Sequence, residues 1–297
     1  MDNQQAAPAA ELTVADVVAA MERLHPLDTA QSWDQVGLVT GDPRQPVRRI
    51  HLAVDPTLAV IAEARAAAAD LLITHHPLLL RGVHSVATTT AKGASVTALV
   101  VNDIALYVAH TNADVASPGV SDALAAACGL VEVEPLVVEE GEPLGRVGDL
   151  PEPLSLARFA DRLAAALPPA PAGVRVAGDR DGVVRRVAVL GGAGDGQFAD
   201  VRAAGADVYV TADLRHHPAL EAREETHGGT GTPYLVDAGH WASEWLWLPG
   251  LAQRLPRELG ERGTTVDLHV SRLVTDPWDF VVHSDPTDSD QHDGGPS

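Results

Sequence analysis

An internal repeat constrains this chain more than any other feature. Arg48-Arg49-Ile50 matches Arg185-Arg186-Val187, and Ala69-Asp70-Leu71-Leu72-Ile73-Thr74 matches Ala206-Asp207-Val208-Tyr209-Val210-Thr211. Arg49 stands 137 residues before Arg186, and Thr74 the same 137 before Thr211. Chance rarely holds one register that long, so the pattern predicts two related halves. Each half then reaches a His-His-Pro, at His75-His76-Pro77 and at His216-His217-Pro218, the second after extra residues. A later strand in each half, 104–108 and 234–236, also ends in polar residues, His110-Thr111-Asn112-Ala113-Asp114 and Asp237-Ala238-Gly239-His240.

Within the first half, residues 49–54 read as a strand, 57–69 as an alanine-rich helix and 70–74 as a second strand. That is a βαβ unit with its histidines at the carboxyl end of a strand, the edge where open α/β sheets bind ligands. Thr13 reads as the N-cap of a helix that ends near His25-Pro26. The expected fold class is therefore α/β, built from two related α/β halves. Residues 1–130 form the first half, carrying His75, His76 and Asp114; residues 185–283 form the second, carrying His240 and Glu244. Between them, 131–184 has scattered prolines and one helix at 156–167, and reads as a connecting or inserted segment. Residues 284–297 are rich in Asp, Ser, Gly and Pro; they bury too little apolar area to offset ordering entropy and are expected to be a disordered tail.

Charge narrows the partners. Forty-one acidic against 21 basic side chains leave a formal charge of -20, which repels phosphate backbones and anionic membrane surfaces, so neither nucleic acid nor membrane is an expected partner. No stretch offers the roughly 20 apolar residues of a membrane span, and the start lacks the pattern of a secretory signal. The single cysteine, Cys128, excludes an internal disulfide framework and any cysteine-rich metal site, and it fits a reducing compartment; the expected location is cytoplasmic. Thirteen histidines with a surplus of carboxylates are the raw material of a metal site with nitrogen and oxygen ligands.

His75 and His76 would point to opposite faces of a regular strand, but at a strand end turning into Pro77 they can splay toward two neighbouring points. Adjacent histidines suit two metals better than one. Asp114 ends the next strand and can supply a carboxylate to the same rim. His240 and Glu244, four residues apart, share one face if a helix begins near His240. A carboxylate bridging two cations keeps them roughly 3.5–4 Å apart. Singly, each feature has a plain structural reading: a polar loop, a turn cap, a solvated helix face. Together, at corresponding strand ends of a repeated unit, they point to metal.

Six ordered blocks carry a resemblance: Trp33-Asp34-Gln35-Val36-Gly37-Leu38, Ile73-Thr74-His75-His76-Pro77, His110-Thr111-Asn112-Ala113-Asp114, Tyr209-Val210-Thr211-Ala212-Asp213, Gly239-His240-Trp241-Ala242-Ser243-Glu244 and Thr275-Asp276-Pro277-Trp278. From about residue 27 to 278 the chain resembles the NIF3-like dinuclear metal-centre family, whose members are described as GTP cyclohydrolase 1 type 2 homologues. The resemblance implies a two-domain α/β protein assembled as a toroidal homohexamer, with two divalent metals facing its inner cavity. By motif position it implies the ligands His75, His76, Asp114, His240 and Glu244, with Glu244 shared. The chain departs from the pattern at Gln35, where Asn is common, and at Ala212, where a Gly usually precedes the acid; neither is an implied ligand. The middle segment is short beside members with an inserted domain, so the chain resembles the minimal form.

Other features are less specific. His110 is close enough to Asp114 to support a ligand or shuttle a proton, and His216 and His217 are candidates for acid–base work or phosphate contact near the rim. Gly191-Gly192-Ala193-Gly194-Asp195-Gly196 follows a strand and can cradle a phosphate or simply form a turn. Arg81 and Arg215 are positioned by sequence to meet a triphosphate. Trp241, Trp245 and Trp247 are expected to pack a core or interface, and Cys128 to be a buried small hydrophobe.

The function these features suggest is metal-dependent hydrolysis: five protein ligands over two cations leave open positions for a water whose pKa the cations lower. The resemblance makes GTP the substrate, attacked at guanine C8 with loss of formate. The alternatives are a phosphoesterase and a non-catalytic protein for metal storage, metal delivery or ring-shaped scaffolding. Imidazole and carboxylate suit zinc, iron, manganese, cobalt or nickel.

Overall fold

A computed structural model of the 297-residue chain describes residues 11–226, 231–260, 263 and 266–282; the expected tail, 284–297, lies outside the described residues. The chain runs through α1 (Val14–Leu24), β1 (Gly37–Thr40), β2 (Arg49–Ala53), α2 (Leu58–Ala66), β3 (Leu71–Thr74), α3 (Ala91–Val101), β4 (Ala105–Val108), α4 (Thr111–Val115) and α5 (Val120–Cys128). It continues through β5 (Val131–Glu139), β6 (Glu142–Ser155), α6 (Leu156–Ala166), β7 (Arg175–Ala177), β8 (Val183–Ala193), α7 (Phe198–Ala203) and β9 (Val208–Ala212). The remaining elements are α8 (His216–Glu224), β10 (Tyr234–Asp237), α9 (His240–Trp245), α10 (Trp247–Glu258) and β11 (Asp267–Val270).

These strands form two mixed sheets, ordered β1-β4-β3-β2-β11 and β5-β6-β8-β9-β10-β7. The parallel triplets β2-β3-β4 and β8-β9-β10 are the repeated units, and their pairing keeps the sequence register. Ile50 pairs with Leu71 and Val187 with Val208, each residue displaced by 137 from its counterpart. The strand entries are built alike too. Asp70 Oδ2 accepts from the backbone N–H groups of Arg48 (2.7 Å) and Arg49 (2.9 Å), and Asp207 Oδ2 from those of Arg185 (2.8 Å) and Arg186 (2.9 Å). Strands β3, β4, β9 and β10 are buried throughout, as near-continuous apolar runs between helices require.

Two segments cross the expected boundaries. Residues 131–184, read as connecting or inserted, supply β5, β6 and β7 to the second sheet. The prolines that break the pattern there, Pro151 and Pro153, sit where the β6–β8 ladder skips from Asp149 to Leu154, a place that needs no proline N–H. From the other direction, β11 leaves the second half to pair in parallel with β2, from Asp267 opposite Arg49 to Val270 opposite Leu52. One apolar cluster accordingly joins the halves, including Val17, Leu52 and Tyr107 from the first and Val189, Val210 and Leu251 from the second.

Helix α1 shows the expected capping: Thr13 Oγ1 accepts from the Asp16 N–H, and Asp16 Oδ2 accepts from the Thr13 N–H at 2.9 Å. It ends at His25, which is fully buried against Trp247 (ring centroids 5.3 Å), and among the described residues neither ring nitrogen has a hydrogen-bond partner. Burial, with the charges of Arg254 and His75, pulls this imidazole down to about 3. The unfolded chain therefore takes up a proton near pH 6.5 that the folded chain refuses. His25 costs no stability above that pH, and about 1.4 kcal/mol per pH unit as pH falls from 6.5 toward 3. Urea midpoints at pH 7 and pH 5 are expected to show His25→Gln gaining about 2 kcal/mol on the wild type over that interval. A constant gap would mean that the folded ring accepts a proton.

Candidate metal centre

The carboxyl ends of both parallel triplets meet at one cleft. Beyond β3 the ladder to β2 continues for two residues, with His75 N–H donating to the Ala53 carbonyl (3.2 Å) and His76 N–H to that of Val54 (2.9 Å). The two rings nonetheless converge, 5.1 Å apart and tilted by 46°. Across the cleft, the short helix α9 opens with His240 and brings Glu244 round on its next turn. Glu244 is buried, and both of its oxygens are shared: Oε1 lies 3.0 Å from His240 Nε2 and 3.4 Å from His75 Nε2, while Oε2 lies 3.1 Å from His76 Nε2. Asp114 Oδ1 completes the group, 3.6 Å from His75 Nε2. The structure thus brings His75, His76, Asp114, His240 and Glu244 together.

Each histidine is held from behind. The Nδ1 atoms of His75, His76 and His240 lie 2.9 Å from the Ala109 carbonyl, 2.7 Å from Asp55 Oδ1 and 2.8 Å from Asp213 Oδ2. Placing the proton on Nδ1 leaves each Nε2 lone pair facing the cleft, the usual support of a metal-binding imidazole. His240 Nε2 and His76 Nε2 then face each other at 3.2 Å, a contact that needs a cation or a proton between them. His75 Nε2, Asp114 Oδ1 and Glu244 Oε2 are buried without a hydrogen-bond partner. Buried orphans of this kind, all nitrogen or oxygen donors, fit divalent cations. His76, His240 and Glu244, like His75, His76 and His110, can each hold a metal ion.

The electrostatics favour positive charge. Burial pulls His76 and His240 down, but the charge of Glu244 and hydrogen bonds to Asp55 and Asp213 outweigh it and push them up to about 10 and about 11. Burial drives Asp114 up, whereas for Glu244 the histidines outweigh burial and hold the carboxyl well below the usual carboxylate range.

His110 stands beside this group, its ring 5.1 Å from that of His75 and 5.5 Å from that of His76. Its Nδ1 meets Asp34 Oδ1 at 3.0 Å, and Asp34 Oδ2 accepts from the backbone and hydroxyl of Thr111 (3.1 and 2.6 Å). His110 and Asp114 repeat the four-residue spacing of His240 and Glu244, so each half offers a histidine at the start of the short helix after its third strand, as its cap (His110) or first residue (His240), and an acid within that helix. His216 and His217, by contrast, lie exposed on the first turn of α8, packed on each other (5.1 Å), and do not line the cleft. Arg215 is bound to Asp195 (Nη2 to Oδ1, 3.1 Å), and Arg81 is exposed.

The cleft, about 280 Å³, is lined by Gln31, Trp33, Thr111, Glu139 and Gln197 beside the histidines and acids, with no lysine or arginine among its described lining residues. Trp33, 52% exposed, meets His110 edge-on at 5.8 Å. The glycine run is used for packing. Gly192 N–H donates to Ser243 Oγ (3.0 Å) and Gly194 N–H to the Ala212 carbonyl (3.4 Å), so neither is free for a phosphate. Trp241, Trp247 and Cys128 are buried, and Trp245 donates from Nε1 to the Ser271 carbonyl (2.7 Å).

Three carboxylates at the site have no role assigned from sequence, although Asp34 and Asp213 lie in the quoted blocks: Asp34, Asp55 and Asp213, which stand behind His110, His76 and His240. Asp213 had a signal, since it lies 137 residues after His76 in the repeat. Asp55 lies two residues beyond β2, and Thr275 Oγ1 donates to its second oxygen, which gives the Thr275-Asp276-Pro277-Trp278 block a place in the site.

A family model described as Duf34/NIF3 (NGG1p interacting factor 3) matches residues 12–277. A Streptomyces coelicolor relative named GTP cyclohydrolase 1 type 2 homolog is 50% identical, over 93% of this chain and 97% of its own length. A Mycobacterium tuberculosis relative of the same name is 36% identical, over 90% of this chain and 97% of its own; its alignment spans 376 positions, so it carries residues this chain lacks. The crystal structure of a Bacillus cereus protein related to NIF3, 26% identical, matches with a TM-score of 0.83 over 92% of this chain and 100% of that one.

Proposed function

Because this chain belongs to the Duf34/NIF3 family, we propose that it is a metal-dependent hydrolase with a dinuclear centre held by His75, His76, Asp114, His240 and Glu244. The observation that carries this reading is the convergence of three Nε2 atoms on both oxygens of one buried carboxylate, each imidazole held from behind. When bound, two divalent cations would supply Lewis acidity and lower the pKa of a water in the cleft. The chain's own residues hold that arrangement: Asp55 and Asp213 orient His76 and His240, and Asp34 fixes His110 at the edge of the cleft, where it can take or give a proton. GTP is the substrate to test first, because the relatives carry the name of a GTP cyclohydrolase homolog. Without a lysine or arginine among the described lining residues of the cleft, its phosphates would depend on the metals for counter-charge. Assembly as a toroidal homohexamer and action in the cytoplasm belong to the same reading, supported by family membership; no described helix is long and apolar enough to cross a membrane.

The test is turnover by the purified, metal-loaded chain on GTP and on simple phosphodiesters, beside His75→Ala. The expected result is metal-dependent release of formate from GTP, reduced at least about 100-fold in His75→Ala. Turnover of phosphodiesters alone would replace the cyclohydrolase reading with a phosphoesterase. No metal-dependent turnover, with metal readily given up to a chelator, would replace it with storage or delivery.

A further inference from the structure

A second convergence of ligand-type groups lies away from the cleft and shares no residue with it. His51 on β2 and His269 on β11 are directly opposite each other in the parallel ladder, so both project from the same face, and their rings stack at 4.8 Å and 27°. Glu63 on α2, which packs on that face, reaches both: Oε2 lies 3.0 Å from His51 Nε2 and Oε1 lies 3.8 Å from His269 Nε2. One nitrogen or oxygen atom from each of the three lies within 4.8 Å of the others, as a single cation requires.

We propose that His51, Glu63 and His269 form a mononuclear site for a zinc-class divalent cation, separate from the cleft, that ties β11 to β2 and α2. Two imidazoles and one carboxylate are a standard zinc donor set, leaving a position for water. The protonation states suit it. Burial holds the His51 imidazole below its ordinary value, so the ring is neutral; burial also acts on Glu63, but hydrogen bonds from Ser271 and His51 outweigh it and keep the carboxylate ionised. Ser271 Oγ donates to Glu63 Oε2 at 2.5 Å and orients it from outside the trio. Access grades outward: His51 is fully buried, the Glu63 side chain is 32% exposed and that of His269 is 59% exposed. A cation thus enters from solvent and adds a tie to β11, an edge strand otherwise held by its ladder to β2 and by the packing of Leu268 and Val270 on the core.

The experiment measures zinc bound per full-length chain after chelation and equilibrium dialysis against micromolar Zn²⁺. Wild type is compared with His269→Ala, and Glu244→Ala with the double variant. Each pair is expected to differ by one zinc, with affinity at this site falling at least about tenfold. Zinc is also expected to raise the melting temperature of Glu244→Ala and not that of the double variant. Equal zinc content within both pairs overturns the proposal and leaves a hydrogen-bonded network only. His269 is exposed enough that its loss spares the core, and His269→Gln is the second variant, with the same expected loss. If Glu244→Ala instead keeps all its zinc while the one-zinc difference persists, the dinuclear reading of the cleft fails and this site stands.

Discussion

Glu244→Gln is expected to lower the affinity of the cleft for divalent cations by more than about 100-fold and to abolish any metal-dependent turnover, while the chain still folds. The substitution keeps shape and volume and removes only the charge. It acts on all three histidines at once, because Glu244 Oε1 serves His240 and His75 and Oε2 serves His76. A neutral amide cannot balance two cations, and its NH₂ group would turn a donor toward Nε2 lone pairs. Asp213→Asn offers the graded comparison. It touches no cation and only releases the Nδ1 side of His240, so the expected loss is about 10–100-fold. Isothermal titration with Zn²⁺ or Mn²⁺ checks both. Equal losses in the two variants would mean that Glu244 is a support like Asp213, and the assignment of a shared carboxylate would be withdrawn.

The contrast between those two residues is also the contrast between what the sequence displayed and what it hid. His75-His76, His110 with Asp114, and His240 with Glu244 are local patterns: adjacent or one helical turn apart, each at the end of an apolar strand. The 137-residue repeat placed those strand ends in equivalent positions, and the structure pairs Ile50 with Leu71 and Val187 with Val208 in that same register. Asp55 reaches His76 across 21 residues, Asp213 reaches His240 across 27 and Asp34 reaches His110 across 76, with no fixed spacing to read. The strand β11 is hidden for the same reason. Four residues of ordinary composition pair with a strand more than 200 positions earlier, and nothing local announces the partner. Residues 131–155 were obscured differently, by prolines that the β6–β8 ladder accommodates through a register break.

Gly192→Ala is expected to cost both stability and metal affinity. The glycine run looked from sequence like a turn or a phosphate cradle; at Gly192 it is the wall of the metal group. Gly192 has φ +68, where an L side chain costs about 1–2 kcal/mol, and a Cβ there would lie 2.4 Å from Glu244 Oε1 and 3.3 Å from His240 Nε2. Neither neighbour can retreat. Glu244 is buried among three imidazoles, and Ser243 Oγ, which accepts from the Gly192 N–H, itself donates to the His240 carbonyl at 2.8 Å. Overpacking of this kind adds about 1–3 kcal/mol, giving about 2–5 kcal/mol in all. Gly205→Ala separates the two contributions, since Gly205 has nearly the same φ, +67, with nothing within 4 Å of its added Cβ. That variant is expected to lose only the backbone share and to bind metal as the wild type does. Gly192→Ala should lose more stability and, because its methyl displaces Glu244, metal affinity as well. If urea midpoints and metal titrations place the two variants together, the close approach of backbone to carboxylate is not what reserves position 192 for glycine, and the cleft has more room around Glu244 than its geometry implies.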